Sequence, residues 1–233
     1  MNTLRTFTFG LMAVLLLGSA ALAQSNPAGG KDGMVFKVMD PVGRNSVTFR
    51  STAPLEDIVG TTSDITGLLV FDPKNPQQGG HGELTVPVSS LNTGIPLRDE
   101  HLKSAGWLNA EKYPEIKLAI TSLKNIKEVK TTQDAMTYDI TIVGNFSLHG
   151  KTEQIEFPGR ITYLKESKAT QQRLPGNLLA ARAGFDIKLK DYGITGPEGT
   201  DLIGSKVGET ISIEVSLMGN SQEADMVGKP NTK

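Results

Sequence analysis

A chain of 233 residues with 25 Gly, 12 Pro, no Cys and 21% charged residues has the length of one globular domain and the patterning of an ordered one. Its 24 Lys and Arg nearly balance its 25 Asp and Glu, so it offers no broad basic face to nucleic-acid phosphates. Without cysteine it has neither disulfides nor a lipobox thiol for a lipid anchor, and its stability must come from packing.

The amino terminus differs from the rest. Arg5 precedes an apolar run from Phe7 to Leu17, and small residues lead to Ala21-Leu22-Ala23, the A-x-A form of a secretory cleavage site. Residues 1–23 are therefore predicted to be a signal peptide cut before Gln24, since the run is too short for a membrane span of roughly 20 residues. The mature protein is expected to be soluble, and periplasmic or secreted. Residues 24–32 (QSNPAGGKD) read as a flexible lead-in and 220–233 as a polar tail. One folded domain, 33–219, lies between them.

Within that domain the apolar residues recur with period two. Met34 to Val38, Ser46 to Ser51 and Thr66 to Asp72 read as short strands. Asp72 to Pro76 and Gln77 to Gly82 make a Pro/Gly loop, with His81-Gly82 as turn residues. Leu84, Val86 and Val88 alternate next. Gly94 to Leu102 breaks the rhythm: Pro96 suits the first turn of a short helix and good helix formers follow, so one or two turns are expected there. Asn109 is predicted to cap a further turn, Ala110 to Tyr113, which Pro114 stops.

Alternation resumes at Ile116, Leu118 and Ile120, followed by a connection from Lys124 to Gln133. Tyr138, Ile140, Ile142, Phe146 and Leu148 form the next set, and Ile155, Phe157, Ile161 and Tyr163 the one after it. Between these two, His149-Gly150 has the spacing of a tight hairpin whose two residues take positive φ. After a loop from Lys165 to Asn177 come Leu179 to Leu189, then a connection from Asp191 to Glu209, then Ile211, Ile213, Val215 and Leu217.

This amounts to about nine strand candidates with almost no helix, an antiparallel all-β protein. An apolar sheet face with no long amphipathic helix to cover it must form a sandwich or a barrel. Short and medium connections favour an up-and-down barrel of about eight strands, whose lumen holds one small ligand. Pro87 and Pro158 interrupt strands and predict bulges or partly open edges, because proline cannot donate to the ladder. A membrane-spanning barrel needs apolar residues outward and two aromatic girdles; one Trp, four Tyr and eight Phe are few for that.

The blocks Leu91 to Gly94, Arg98 to Ser104, Trp107 to Pro114 and Gly144 to Thr152 resemble those of the YceI-like family, bacterial lipid- and polyisoprenoid-binding domains with a lipocalin-like barrel. Leu91-Asn92-Thr93-Gly94, Arg98 to Ser104 and Trp107 to Pro114 are similar in order and spacing to its TG, RDxHL and KYP signature. Gly144 to Thr152 resembles its G-x-L-T-x-x-G-x-T hairpin, and Ala183-Gly184-Phe185 with Asp191-Tyr192-Gly193-Ile194 adds a third block. Asn45-Ser46 stands where His-Ser is common, and Trp107 where Phe is common. The resemblance implies a periplasmic carrier or sequestering protein for a long apolar amphiphile, such as a polyisoprenoid, a quinone tail or a fatty-acid derivative. It implies no cofactor beyond that lipid.

Holding a long hydrocarbon requires an apolar tube and no reactive group. The alternating sets nominate Phe49, Leu84, Val86, Ile116, Leu118, Ile140, Ile142, Phe146, Phe185 and Ile213 as lining residues, with plain core packing as the competing role. Arg98, Asp99 and His101 are candidates for meeting a polar head group at the mouth or for fixing a loop there; Trp107 would roof the ligand or anchor packing. His81, His101 and His149 have no metal-ligand spacing, and no nucleophile, P-loop or dinucleotide motif is present. No catalytic or metal residue is therefore predicted. Two roles remain: a lipid-binding carrier, with transient membrane contact, or a non-catalytic interaction or stress-protective module with a filled barrel core.

Overall fold

The computed structural model describes residues 33–221; the predicted signal peptide, the lead-in and nearly all of the predicted tail lie outside them. Ten antiparallel strands form one sheet: β1 Met34–Val38, β2 Ser46–Thr52, β3 Asp57–Thr62, β4 Thr66–Phe71, β5 Gly80–Pro87, β6 Glu115–Thr131, β7 Ala135–Leu148, β8 Lys151–Leu164, β9 Leu178–Lys188 and β10 Thr210–Asn220. They make eight staves. β1 and β2 lie end to end along β10, and β4 and β3 lie end to end along β1 and β2. Counted this way, neighbouring staves follow chain order and the ring closes where β1 meets β10, the expected up-and-down barrel.

The break between β1 and β2 has a specific repair. Val38 pairs with Gly219 and Ser46 with Ser216, so the looped-out residues between them leave Met218 without a facing strand. The Asn45 side chain takes that place: the Met218 N–H donates to Asn45 Oδ1 at 2.9 Å, and Asn45 Nδ2 donates to the Met218 carbonyl at 3.4 Å. A side-chain amide thus does what a peptide group would do. Asn45 is 1% exposed, so water cannot replace it. Asn45→Ala is expected to cost about 1–3 kcal/mol, the penalty for a buried polar group left unpaired, measured as a lower urea midpoint at unchanged m-value.

Five local readings change in the structure. β3 carries no apolar alternation because its central lumen-side residue is Gly60, opposite Phe49, and it went unread. The predicted connection from Lys124 is instead the second half of β6, which runs to Thr131 with register shifts after Ile120, Lys124 and Glu128; these shifts scramble the period. His81 and Gly82 sit inside β5, paired with Val70 and Leu69, rather than in a turn. Asn109 opens the expected turn, its carbonyl accepting from the Lys112 and Tyr113 N–H groups, but with φ 48° rather than the extended backbone of a helix cap. At the carboxyl end β10 continues through Asn220, assigned to the tail from sequence, whose side chain donates to the Pro175 carbonyl at 3.0 Å.

The His149-Gly150 hairpin has φ 51° and 75° as expected. Pro158 marks a partly open edge: the β8–β9 ladder begins only at Gly159 opposite Ala183, while β8 pairs with β7 along its full length. Beside the opening, the Phe157 and Phe185 rings stack 4.5 Å apart and close the wall with side chains. Pro87 ends β5 opposite Glu115.

Polarity runs apolar inward and charged outward. The ion pairs Arg160–Asp139 at 2.6 Å and Lys124–Glu156 at 2.8 Å lie on the outer wall, the reverse of a membrane-spanning barrel. One end is sealed by packing: Phe36 and Val38 are fully buried and Leu178 and Leu179 nearly so. There the Phe36 and Tyr163 rings meet edge to face at 6.4 Å, as do Phe71 and Tyr138 at 6.0 Å, and the Tyr138 hydroxyl donates to the Pro73 carbonyl at 2.9 Å.

Candidate functional site

The lumen-facing positions of the eight staves enclose an apolar cavity of about 500 Å³. All thirteen residues nominated from sequence border it. Phe49 comes from β2, Leu84 and Val86 from β5, Ile116 and Leu118 from β6, Ile140, Ile142 and Phe146 from β7, Phe185 from β9 and Ile213 from β10. Arg98, His101 and Trp107 border it from the segment between β5 and β6. Period two placed the strand residues on this face because every second Cβ of a strand points the same way.

The mouth arises from a gap in the ladder. β5 pairs with β4 from Gly80 to Thr85, but β3, the continuation of that stave, has only an isolated bridge from Thr61 to Asn92 on its free side. The wall between β3 and β5 is completed by the segment following β5, which includes the helix α1, Pro96–Lys103. Pro96 begins α1 as expected, and none of its residues is buried. Ile95 and Leu97 border the cavity yet are 45% and 60% exposed, so the cavity reaches the surface there.

Two polar contacts hold α1 in place. Arg98 Nη2 lies 2.7 Å from Glu56 Oε1, tying the helix to the β2–β3 hairpin; with both side chains partly exposed, such a pair contributes at most about 1 kcal/mol. Asp99 Oδ1 accepts from the Thr93 N–H and the Thr93 hydroxyl, both at 2.7 Å. The Thr93 hydroxyl bond is the main reason the Asp99 carboxyl is held below the usual aspartate range. His101 is exposed on the rim. Of the rim residues named from sequence, then, Arg98 is engaged by a carboxylate and Asp99 ties the helix to the preceding turn.

Other parts of the motif blocks meet at the same end of the barrel. The Tyr113 ring lies against Gly150, leaving no room for a side chain there, and meets the His149 ring edge to face at 4.8 Å. His149 Nδ1 is 3.1 Å from the Tyr192 carbonyl oxygen, and the Tyr192 ring meets that of Phe146 at 5.7 Å. Burial, reinforced by the Glu153 and Asp191 charges, pushes the Tyr192 phenol up to about 12. These blocks pack on one another and fix the end of the barrel that carries the mouth.

Sequence reading missed the lining residues contributed by connections: Ile65, Leu91, Ile95, Leu97, Leu202 and Val207. No periodicity marks them. The one available signal was apolar residues sitting in segments otherwise rich in turn formers.

A closed antiparallel eight-stave barrel with an apolar, ligand-sized lumen open at one end defines a class of protein, the small β-barrels with an internal cavity. Within that class the YceI-like domain family matches residues 38–218, and the chain belongs to this family. Protein YceI of Salmonella arizonae is 28% identical over 170 residues, covering 71% of this chain and 75% of that protein. The fold is similar to that of Burkholderia cenocepacia BcnA, with TM-score 0.58 at 17% identity over 77% of this chain and 99% of that one. It is also similar to a polyisoprenoid binding domain from Saccharophagus degradans implicated in plant cell wall breakdown, with TM-score 0.58 at 14% identity over 81% of this chain and 99% of that one.

Proposed function

We propose that this protein is an exported, non-catalytic binding protein that takes one long apolar amphiphile into the barrel lumen and carries or sequesters it in the periplasm or outside the cell. The observation that carries this reading is the apolar cavity of about 500 Å³, closed by packing at one end and reaching the surface at Ile95 and Leu97. Each methylene moved from water into such a lumen contributes about 0.8 kcal/mol before ordering costs. Affinity therefore grows with chain length and needs no reactive group. A filled barrel, the competing expectation, has no such space along its axis.

The ligand class we favour is a polyisoprenoid, a quinone tail or a fatty-acid derivative. The kinship with a domain described as polyisoprenoid binding supports the first. Because Arg98 is already paired with Glu56, a neutral or weakly polar head group fits the rim better than one that must recruit that guanidinium. Export rests on the Ala21-Leu22-Ala23 cleavage pattern.

Native mass spectrometry of the protein purified from its own host, followed by organic extraction, tests the reading. A mass adduct that extracts as one long-chain lipid is the expected result. Protein that carries no adduct and gains none when incubated with farnesol, solanesol or palmitic acid would refute it.

A further inference from the structure

We infer that two glycines, Gly60 on β3 and Gly159 on β8, set the capacity of the lumen and hence the length of chain it accepts. The inference rests on the lumen being the binding site. Both stand on the lumen face by register: Gly60 is opposite Phe49, and Gly159 is opposite Ile140. Three staves separate β3 from β8 in either direction round the ring, so the two glycines lie on opposite walls.

Each receives a lining side chain folded back against the wall. A methyl group on Gly60 would overlap Cζ of Phe49 and lie 2.8 Å from its Cε2, which means that the ring rests over the bare Cα. A methyl group on Gly159 would lie 2.8 Å from Cδ1 of Ile142, with the next atom, the Arg182 carbonyl oxygen, at 3.3 Å. Phe49 and Ile142 both border the cavity, so the space they give up by lying flat becomes lumen.

The other glycines on this face do a different job. A methyl on Gly80 would come within 2.8 Å of Leu123 Cδ1 and also within 2.9 Å of the Val70 carbonyl oxygen, and one on Gly144 within 2.8 Å of the Ala119 carbonyl oxygen. Those glycines let backbones approach. At Gly60 the three nearest atoms all belong to the Phe49 ring, at Gly159 the nearest backbone atom stays 3.3 Å away, and neither residue has positive φ, so alanine is tolerated by the backbone. The obstructing side chain, which already borders the lumen, then swings into it and shortens the reach of a bound chain.

The test uses Gly60→Ala, Gly159→Ala and the double variant, titrated with geraniol, farnesol, geranylgeraniol and solanesol. The variants are expected to lose about tenfold in affinity for the longest alcohol the wild type holds, the worth of roughly two methylenes. Affinity for geraniol should be unchanged. Adding Phe49→Leu to Gly60→Ala is expected to restore the long-chain affinity, which a variant weakened by general damage would not regain. An unchanged length profile in both alanine variants overturns the inference while leaving the lumen as binding site. If the wild type binds none of the alcohols, the proposed function fails first. Crystal structures then decide the inference: Phe49 and Ile142 turned into the lumen of the alanine variants uphold it, and side chains left in place overturn it.

Discussion

Leu118→Trp is expected to abolish uptake of long-chain alcohols while leaving the barrel folded. Leu118 stands on β6 between Leu84 of β5 and Phe146 of β7, and all three border the cavity. Although strands surround it on both sides, its side chain is only partly buried, because it faces space rather than packed atoms. In a packed core, the extra volume of an indole would force off-rotamer side chains and cost about 1–3 kcal/mol or more. Here the ring enters existing space, so the unfolding free energy from urea melts should fall by less than about 1 kcal/mol while affinity for solanesol falls beyond tenfold. A large stability loss with binding retained would show that the lumen is core and that lipid binds elsewhere.

Phe36→Ala should do the opposite and destabilise the fold by about 3–5 kcal/mol, the range for deleting a buried aromatic and leaving a void. Phe36 is fully buried at the sealed end and meets Tyr163 edge to face. Phe36 does not border the cavity, so its removal leaves a void among packed side chains. Against a typical domain stability of about 5–15 kcal/mol, that is a large fraction, and thermal melts should show it without any ligand present. Leu118→Ala offers the internal contrast. Its removed atoms already face open volume, so only the transfer cost applies and little new cavity is created.

The split between legible and illegible parts follows from what each segment faces. β7 was readable along its length, because Tyr138, Ile140, Ile142, Phe146 and Leu148 are buried on one face while Asp139, Thr141, Asn145 and Ser147 between them are polar and only partly buried. β3 was not, because Gly60 trades its own side chain for the Phe49 ring across the ladder, and a sequence window does not show a partner on another strand. The second half of β6 was lost for another reason: it is largely exposed on both faces and bulged, so no single face selects apolar residues. Asn45 looked like a departure from a family pattern; only the tertiary structure shows its amide completing the ladder of β10 at Met218.

The one-letter string by itself determined the all-β class, favoured a barrel over a sandwich, and put ten of the cavity-bordering strand residues on one face, since burial on one face imposes period two on any half-buried strand. What only the tertiary structure decided is where the lumen opens and how much room it has. The mouth exists because β3 and β5 fail to pair and Arg98 reaches Glu56 across the gap. The room exists because side chains lie down over glycines of neighbouring strands. Both are relations between residues distant in sequence, and local periodicity records only which face a residue occupies, not what stands opposite it.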